Sequence, residues 1–197
     1  MAAAQPRLAQ VDDADAIARV HVESWQTTYP GLMPDRFLAS MRVDEYAERW
    51  RRMLSGCPAD RPTFVVEEEG RIVGFASGGR EREDGSRRGE LYAIYLLREV
   101  QRRGYGRALI RAVARALREQ GLSSLIVWVL RDNFPARAFY EHLGGVYVGE
   151  RPLDFGAGFT LIEAGYVWPD TRQLLDVGKA GPHPQGRSGG GGVAHGP

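Results

Sequence analysis

Apolar residues near the start of the chain recur at helical spacing. Ile17, Val20 and Trp25 fall on one stripe, with Asp12 or Asp13 placed to cap it and Tyr29-Pro30-Gly31 placed to end it, which predicts a helix between them. A short opening strand is expected at "RLAQ", and a second helix over Asp44 to Leu54, stopping at Gly56 and Pro58. The run "TFVVEEEGRIVGFASGGRE" then changes period and reads as two strands joined by a turn at Glu69-Gly70. "ELYAIYLL" is apolar on both faces, so it is expected in the middle of the sheet. Strict alternation along it would put Glu90, Tyr92, Ile94 and Leu96 on one face.

Helical spacing returns after residue 104. Leu109, Ile110, Val113, Ala116 and Leu117 make an apolar face, Arg107, Arg111, Arg115 and Arg118 the opposite one, and Gly121 is placed to end the helix. "SSLIVWVL" reads as another buried strand, Asn133 to Leu143 as a short helix capped by Asn133, and "GGVYVGERP" with "FTLIEAGYVW" as a closing antiparallel pair. The sum is a mixed α/β domain without internal repeats, in which the strand, helix and strand around residues 90 to 130 form a parallel crossover unit. A folded domain is expected over residues 1–171 and a flexible Gly/Pro-rich tail over 172–197, plainest from Asp176 onward, where little can be buried.

A chain of 197 residues can bury a core of its own. Its formal net charge of +1 argues against a strongly electrostatic partner such as bulk nucleic acid. Cys57 is the single cysteine, which excludes an internal disulfide and suits a reducing compartment. The absence of a membrane-length apolar run and of a signal peptide makes a cytoplasmic location the expectation. His21 and His142 have no metal-like partners at helical spacing, and His183 and His195 stand singly in the tail, so no metal is expected.

The chemistry concentrates in "LREVQRRGYGRALIRAVARALREQG", residues 97 to 121. Gly104 and Gly106 let the backbone come close to a ligand where the helix begins, and the first N–H groups of a helix favour an anion. Arg102, Arg103 and Arg107 add positive charge beside them. Both common nucleotide motifs fail. A Walker loop needs Gly-Lys-Ser/Thr where Gly106 is followed by Arg107-Ala108, and the dinucleotide fingerprint needs a third glycine where Leu109 stands.

The segment resembles the GNAT N-acetyltransferase superfamily, whose signature Gln/Arg-x-x-Gly-x-Gly/Ala is matched by Gln101, Gly104 and Gly106. A second element, "NFPARAFYEHLGG", supplies the family's Asn, here Asn133, and its Tyr seven residues on, Tyr140. The resemblance spans roughly residues 5 to 168 and implies an α/β fold: a central, mixed, mostly antiparallel sheet of six to seven strands, flanked by about four helices and splayed between the fourth and fifth strands. It implies acetyl-CoA as co-substrate, with no metal, and direct attack by a primary amine of a small molecule or peptide in a ternary complex. The backbone of Ile94, Tyr95 and Leu96 would pair with the pantetheine arm, and an N–H near Leu96 would serve the oxyanion. Gln101, Arg102, Arg103, Gly104, Tyr105, Gly106 and Arg107 would cradle the pyrophosphate, and Asn133 would touch the cofactor. Tyr140 would protonate the departing thiolate. Some members carry a base on the fifth strand where this chain has Trp128; others carry it where this chain has Glu90, so Glu90 or a water chain is the expected base. Trp25, Tyr29 and Tyr92 would line the acceptor pocket. Homodimers are frequent in the family. An acyl-CoA-binding or sensing module without turnover is the alternative, and the acceptor is open among polyamines, aminoglycosides, amino acids and peptides.

Overall fold

Two strands form the middle of the sheet, β3 (Arg71–Arg80) and β4 (Gly89–Leu96), and both are apolar almost throughout. Around them lie β1 (Arg7–Leu8), β2 (Thr63–Glu68), β5 (Leu125–Leu130), β6 (Val146–Asp154) and β7 (Thr160–Trp168), in the order β1-β2-β3-β4-β5-β7-β6. Every neighbouring pair is antiparallel except β4–β5. The helices are α1 (Ala14–Thr28), α2 (Asp35–Ser40), α3 (Val43–Ser55), α4 (Tyr105–Glu119), α5 (Phe134–His142) and α6 (Arg172–Asp176). This computed structural model describes residues 5–56, 59–82, 87–154 and 158–176; Cys57, His183 and His195 lie outside them. No helix among the described residues is long and apolar enough to cross a membrane.

The seven strands and the parallel crossover match the expected topology. The helices outnumber the expected four because α2 and α6 are short. α2 offered no stripe in the sequence; of its residues only Leu38 is buried, against Val22, Met33 and Met41 in a small satellite core. α6 corrects the expected domain boundary at residue 171. Leu174 is 1% exposed, and its carbonyl accepts a 2.7 Å bond from Arg111 Nε of α4, so the folded domain continues through Asp176.

Cross-strand partners share a face, which locates the layers. Phe75 pairs with Tyr95 and Gly79 with Glu90, on the side where Phe75 meets His21 of α1 and Trp50 of α3. Gly74, Ala76 and Gly78 pair with Leu96, Ile94 and Leu91 on the other side, where a Cβ on Gly78 would come within 2.6 Å of Val113 of α4. Leu109, Ile110, Val113 and Leu117 seal this side, all fully buried, each stabilising the fold by roughly 1.5–3 kcal/mol.

The alternation expected along β4 is broken. Ser77 pairs with Ala93 but Gly78 with Leu91, so Tyr92 is an extra residue and the strand bulges there. The bulge corrects the facial assignment: Glu90 falls on the face of Tyr95, while Ile94 and Leu96 point to α4.

Candidate active site

The loop between β4 and α4 carries two left-handed residues, Arg102 at φ 65° and Gly104 at φ 91°. Gly104 is the N-cap of α4 and has open space where a side chain would project. The first α-helical bond runs from Ala108 N–H to the Gly104 carbonyl, so the amides of Tyr105, Gly106 and Arg107 precede the helical ladder and carry the positive end of its dipole. Gly106 is there for a different reason. Its φ is ordinary, but a Cβ would stand 3.2 Å from Phe139 of α5 and 3.5 Å from Leu96, so glycine lets α4 approach both.

The side chains around this cradle divide. Gln101 Nε2 donates to the Leu96 carbonyl at 3.2 Å and ties the loop to the end of β4. Arg103 turns to Glu68 at 2.9 Å, and the Tyr105 hydroxyl also faces Glu68, at 3.4 Å. Arg107 lies 3.3 Å from His142 Nε2 of α5, and Arg102 is exposed. Asn133 is buried, and its carboxamide oxygen accepts from Ala136 N–H at 3.3 Å, capping α5.

Beside the cradle the sheet opens. The β4–β5 ladder consists of Gly89↔Leu125, Glu90↔Ile126 and Leu91↔Val127 and ends there. β5 goes on pairing with β7 to Leu130↔Glu163, so the stretch Ala93–Leu96 faces a wedge with its backbone toward it. Ile94, Tyr95 and Leu96, expected along this edge, all lie on that stretch.

Phenols gather at the floor of the wedge. Tyr140 is 5% exposed and packs against Phe139, Tyr166 and Trp168. Burial pushes its phenol well above the ordinary tyrosine range, with Tyr95 adding to the effect. Tyr95 is raised likewise, first by burial and then by the nearby Tyr29. Tyr29 and Tyr95 share a hydrogen bond, and burial pushes Tyr29 up to about 12. Trp25 stands at right angles to Tyr29, 5.2 Å away, and 6.1 Å from Tyr95. The structure therefore brings Trp25, Tyr29, Tyr95 and Tyr140 together.

Tyr92, in the middle of β4, stands apart from these four, its ring against Gly79. Its hydroxyl donates to the Arg80 carbonyl, and the guanidinium carbons of Arg61 and Arg82 lie 4.5 and 4.8 Å from its ring centroid. Glu90, 2% exposed, is gripped by Arg82: Oε1 accepts from Nη2, and Oε2 accepts from both Nε and the backbone N–H at 3.2 Å.

A carboxylate that sequence reasoning passed over completes the wall. Glu163 of β7 is mostly buried and accepts from Arg151 Nε at 3.0 Å. Burial raises its pKa against the opposing pull of Arg151, and the charges of Arg82 and Glu90 reach it. Trp128, at the position of the absent fifth-strand carboxylate, packs over Gly165 and carries Arg151 4.0 Å above its ring. The signal for Glu163 was available: it is the one charged residue in the apolar strand "TLIEAGYVW". Among the described residues no cluster of metal-ligating side chains occurs.

The cradle, the short parallel ladder and the buried phenols define an acyltransferase-type cleft, and the match to known proteins gives its class. Residues 19–145 match the acetyltransferase (GNAT) family. The chain belongs to that family and is an N-acetyltransferase. It is 42% identical over 172 residues, 85% of this chain and 94% of the relative, to a Bacillus subtilis (strain 168) protein described as the uncharacterized N-acetyltransferase YuaI. It is 40% identical over 108 residues to the mycothiol acetyltransferase of Saccharomonospora viridis, 52% of this chain but 35% of that protein. Among solved structures, the PaiA N-acetyltransferase of Thermoplasma acidophilum, in complex with coenzyme A, aligns with a TM-score of 0.66 at 20% identity, covering 81% of this chain and 96% of that one. The putative acetyltransferase yncA of Salmonella typhimurium, with acetyl-CoA, aligns at 0.64 and 20% identity, covering 84% and 92%.

Proposed function

We propose that the chain transfers the acetyl group of acetyl-CoA to a primary amine of a small molecule or peptide, by direct attack with both substrates bound. The observation that carries this reading is the junction of the opened β4 edge with the glycine-capped start of α4. One side offers backbone hydrogen bonds to an amide-bearing arm, the other offers N–H groups to a pyrophosphate. Acetyl-CoA supplies the thioester as electrophile, and this chain's residues do the rest. The N–H groups of Tyr105, Gly106 and Arg107 hold the diphosphate. The backbone of Ile94–Leu96 aligns the arm, with an N–H near Leu96 for the oxyanion. Tyr140 stays protonated through the neutral range because its burial disfavours the phenolate, so it is ready to hand a proton to the departing sulfur.

An alkyl ammonium has a pKa of about 10.4 and must lose its proton before attack. Both oxygens of Glu90 accept from Arg82, which suits Glu90 to holding that guanidinium still. Glu163, whose burial raises its basicity, suits the proton, directly or through water. Trp25 and Tyr29 form the acceptor wall nearest Tyr140. The test is release of CoA thiol with the full chain, acetyl-CoA and a panel of amines. Saturable, amine-dependent release is expected; tight acetyl-CoA binding without release from any amine would leave a binding module.

A further inference from the structure

Three guanidinium groups, those of Arg61, Arg82 and Arg151, stand about the sheet face that carries Glu90 and Glu163, and two of them are answered by carboxylates, Arg82 by Glu90 and Arg151 by Glu163. Arg61, in the bend that leads into β2, makes no ion pair among the described residues. Its guanidinium carbon lies 4.5 Å from the Tyr92 ring centroid, which Arg82 also approaches to 4.8 Å. The bond from the Tyr92 hydroxyl to the Arg80 carbonyl fixes that ring. Two cations are thus held on one phenol, and the Nε of Arg61 is buried without a hydrogen-bond partner. A half-buried cation beside a like charge, with an unanswered N–H, is an arrangement that an anion relieves. Burial and the charge of Arg82 both weaken the hold of Arg61 on its proton, in keeping with the lack of a counter-ion among the described residues.

Resting on the acetyl-transfer reading above, we propose that Arg61, backed by Tyr92, receives a carboxylate carried by the acceptor, so that the acceptor is an amino-acid-like amine. Among the described residues, once Arg82 and Arg151 are set against Glu90 and Glu163, the charge of Arg61 is left over, which fits a monoanion. A carboxylate matches the planar guanidinium fork, reached by a turn of the Arg61 side chain. The same excess charge disfavours polyamines. Position agrees with this assignment: Glu90 stands opposite Ile126, and the alternation of Ile126, Trp128 and Leu130 along β5 carries the same face to Glu163, where Leu130 packs in one cluster with Trp25 and Tyr29.

The test uses the full chain and acetyl-CoA, with matched acceptors: free amino acids, the same amino acids as carboxamides, and amino alkyl phosphates. The carboxylate forms should exceed the carboxamides in kcat/KM by about 10- to 100-fold, mainly through KM, as a charge-assisted contact warrants. In Arg61→Gln that ratio should collapse towards one, and Arg61→Lys should restore part of it; acetyl-CoA binding shows that each variant folds. Carboxamides used as well as carboxylates, a ratio that survives Arg61→Gln, or phosphates preferred over carboxylates would each overturn the proposal. If no amine releases thiol, the acetyl-transfer reading fails by itself. Arg61 is then tested by calorimetric titration with N-acetylated amino acids and their carboxamides in the presence of CoA, where equal binding of the two sinks it and a preference lost in Arg61→Gln sustains it.

Discussion

The imidazole of His21 stacks on the ring of Tyr95, their centroids 5.1 Å apart and their planes 23° from parallel. Trp50 Nε1 donates to His21 Nδ1 at 3.2 Å, which leaves the other ring nitrogen to carry the proton of the neutral form. Trp25, Tyr46, Trp50 and Phe75 surround the ring, and this burial, helped by the charge of Arg49, lowers its pKa to about 3. Unfolded, the same histidine titrates near 6.5. Between these values the unfolded chain binds more protons than the folded one. Stability is therefore full above pH 6.5 and falls as the pH drops toward 3, by up to about 1.4 kcal/mol per pH unit. Thermal melting of wild type should show Tm declining from pH 6.5 to 5, and His21→Phe should flatten that slope while losing about 1 kcal/mol of hydrogen bonding. A wild-type Tm independent of pH over this range would contradict the assignment.

At the cradle, Gly104→Asp places a carboxylate beside the amides of Tyr105, Gly106 and Arg107, on a backbone with φ 91°. Its own charge would occupy the positive end of the helix and repel a diphosphate. Acetyl-CoA binding should be abolished in a protein that still folds, as read by calorimetry and circular dichroism. Undiminished affinity would show that the diphosphate lies elsewhere.

Tyr140→Phe keeps the packing against Trp168 and Tyr166 and removes only the hydroxyl. The turnover rate should fall by roughly 10²- to 10⁴-fold, with acetyl-CoA affinity little changed. An active Tyr140→Phe enzyme would show that the leaving sulfur draws its proton from another donor.

Exchanging the carboxylates separates holding from proton transfer. Glu163→Gln should lower the rate near neutral pH and regain it as rising pH supplies the free amine. Glu90→Gln should release Arg82 and raise KM for the acceptor. If Glu163→Gln follows the wild-type pH profile and Glu90→Gln does not, the two roles are reversed.

Truncation after Asp176 should leave melting and cofactor binding intact, because Leu174 and the Arg111 bond already close the folded domain. Loss of either property would assign the last residues a part in the fold.

Periodicity alone revealed the long elements. α4 announced itself because Leu109, Ile110, Val113 and Leu117 all face the core, and β4 because nearly all of it is apolar. α2 was illegible, since a six-residue helix with one buried side chain leaves no repeating stripe. The bulge at Tyr92 was invisible for another reason: it depends on which residues of β3 stand opposite, and spacing within β4 carries no record of them. The cradle was readable because glycine is demanded by the backbone itself, at Gly104 by handedness and at Gly106 by the nearness of Phe139. Of the charged wall, only Glu90 was. Arg61, Arg82, Glu90, Arg151 and Glu163 come from five separate segments of the chain, and only the closing of the sheet brings them to one side.

The brevity of the β4–β5 ladder reaches beyond catalysis. A sheet joined at its centre by Gly89–Leu91 and Leu125–Val127 alone is nearly two sheets, with β1–β4 in one and β5–β7 in the other. Where backbone pairing is so sparse, opening is expected to be local before it is global, each half exchanging its amide hydrogens as its own cooperative unit. A ligand whose amides pair with the bare edge of β4 lengthens the seam from outside the chain. It would weld the halves into one foldon, so that the molecule unfolds as a single body only when charged with its donor.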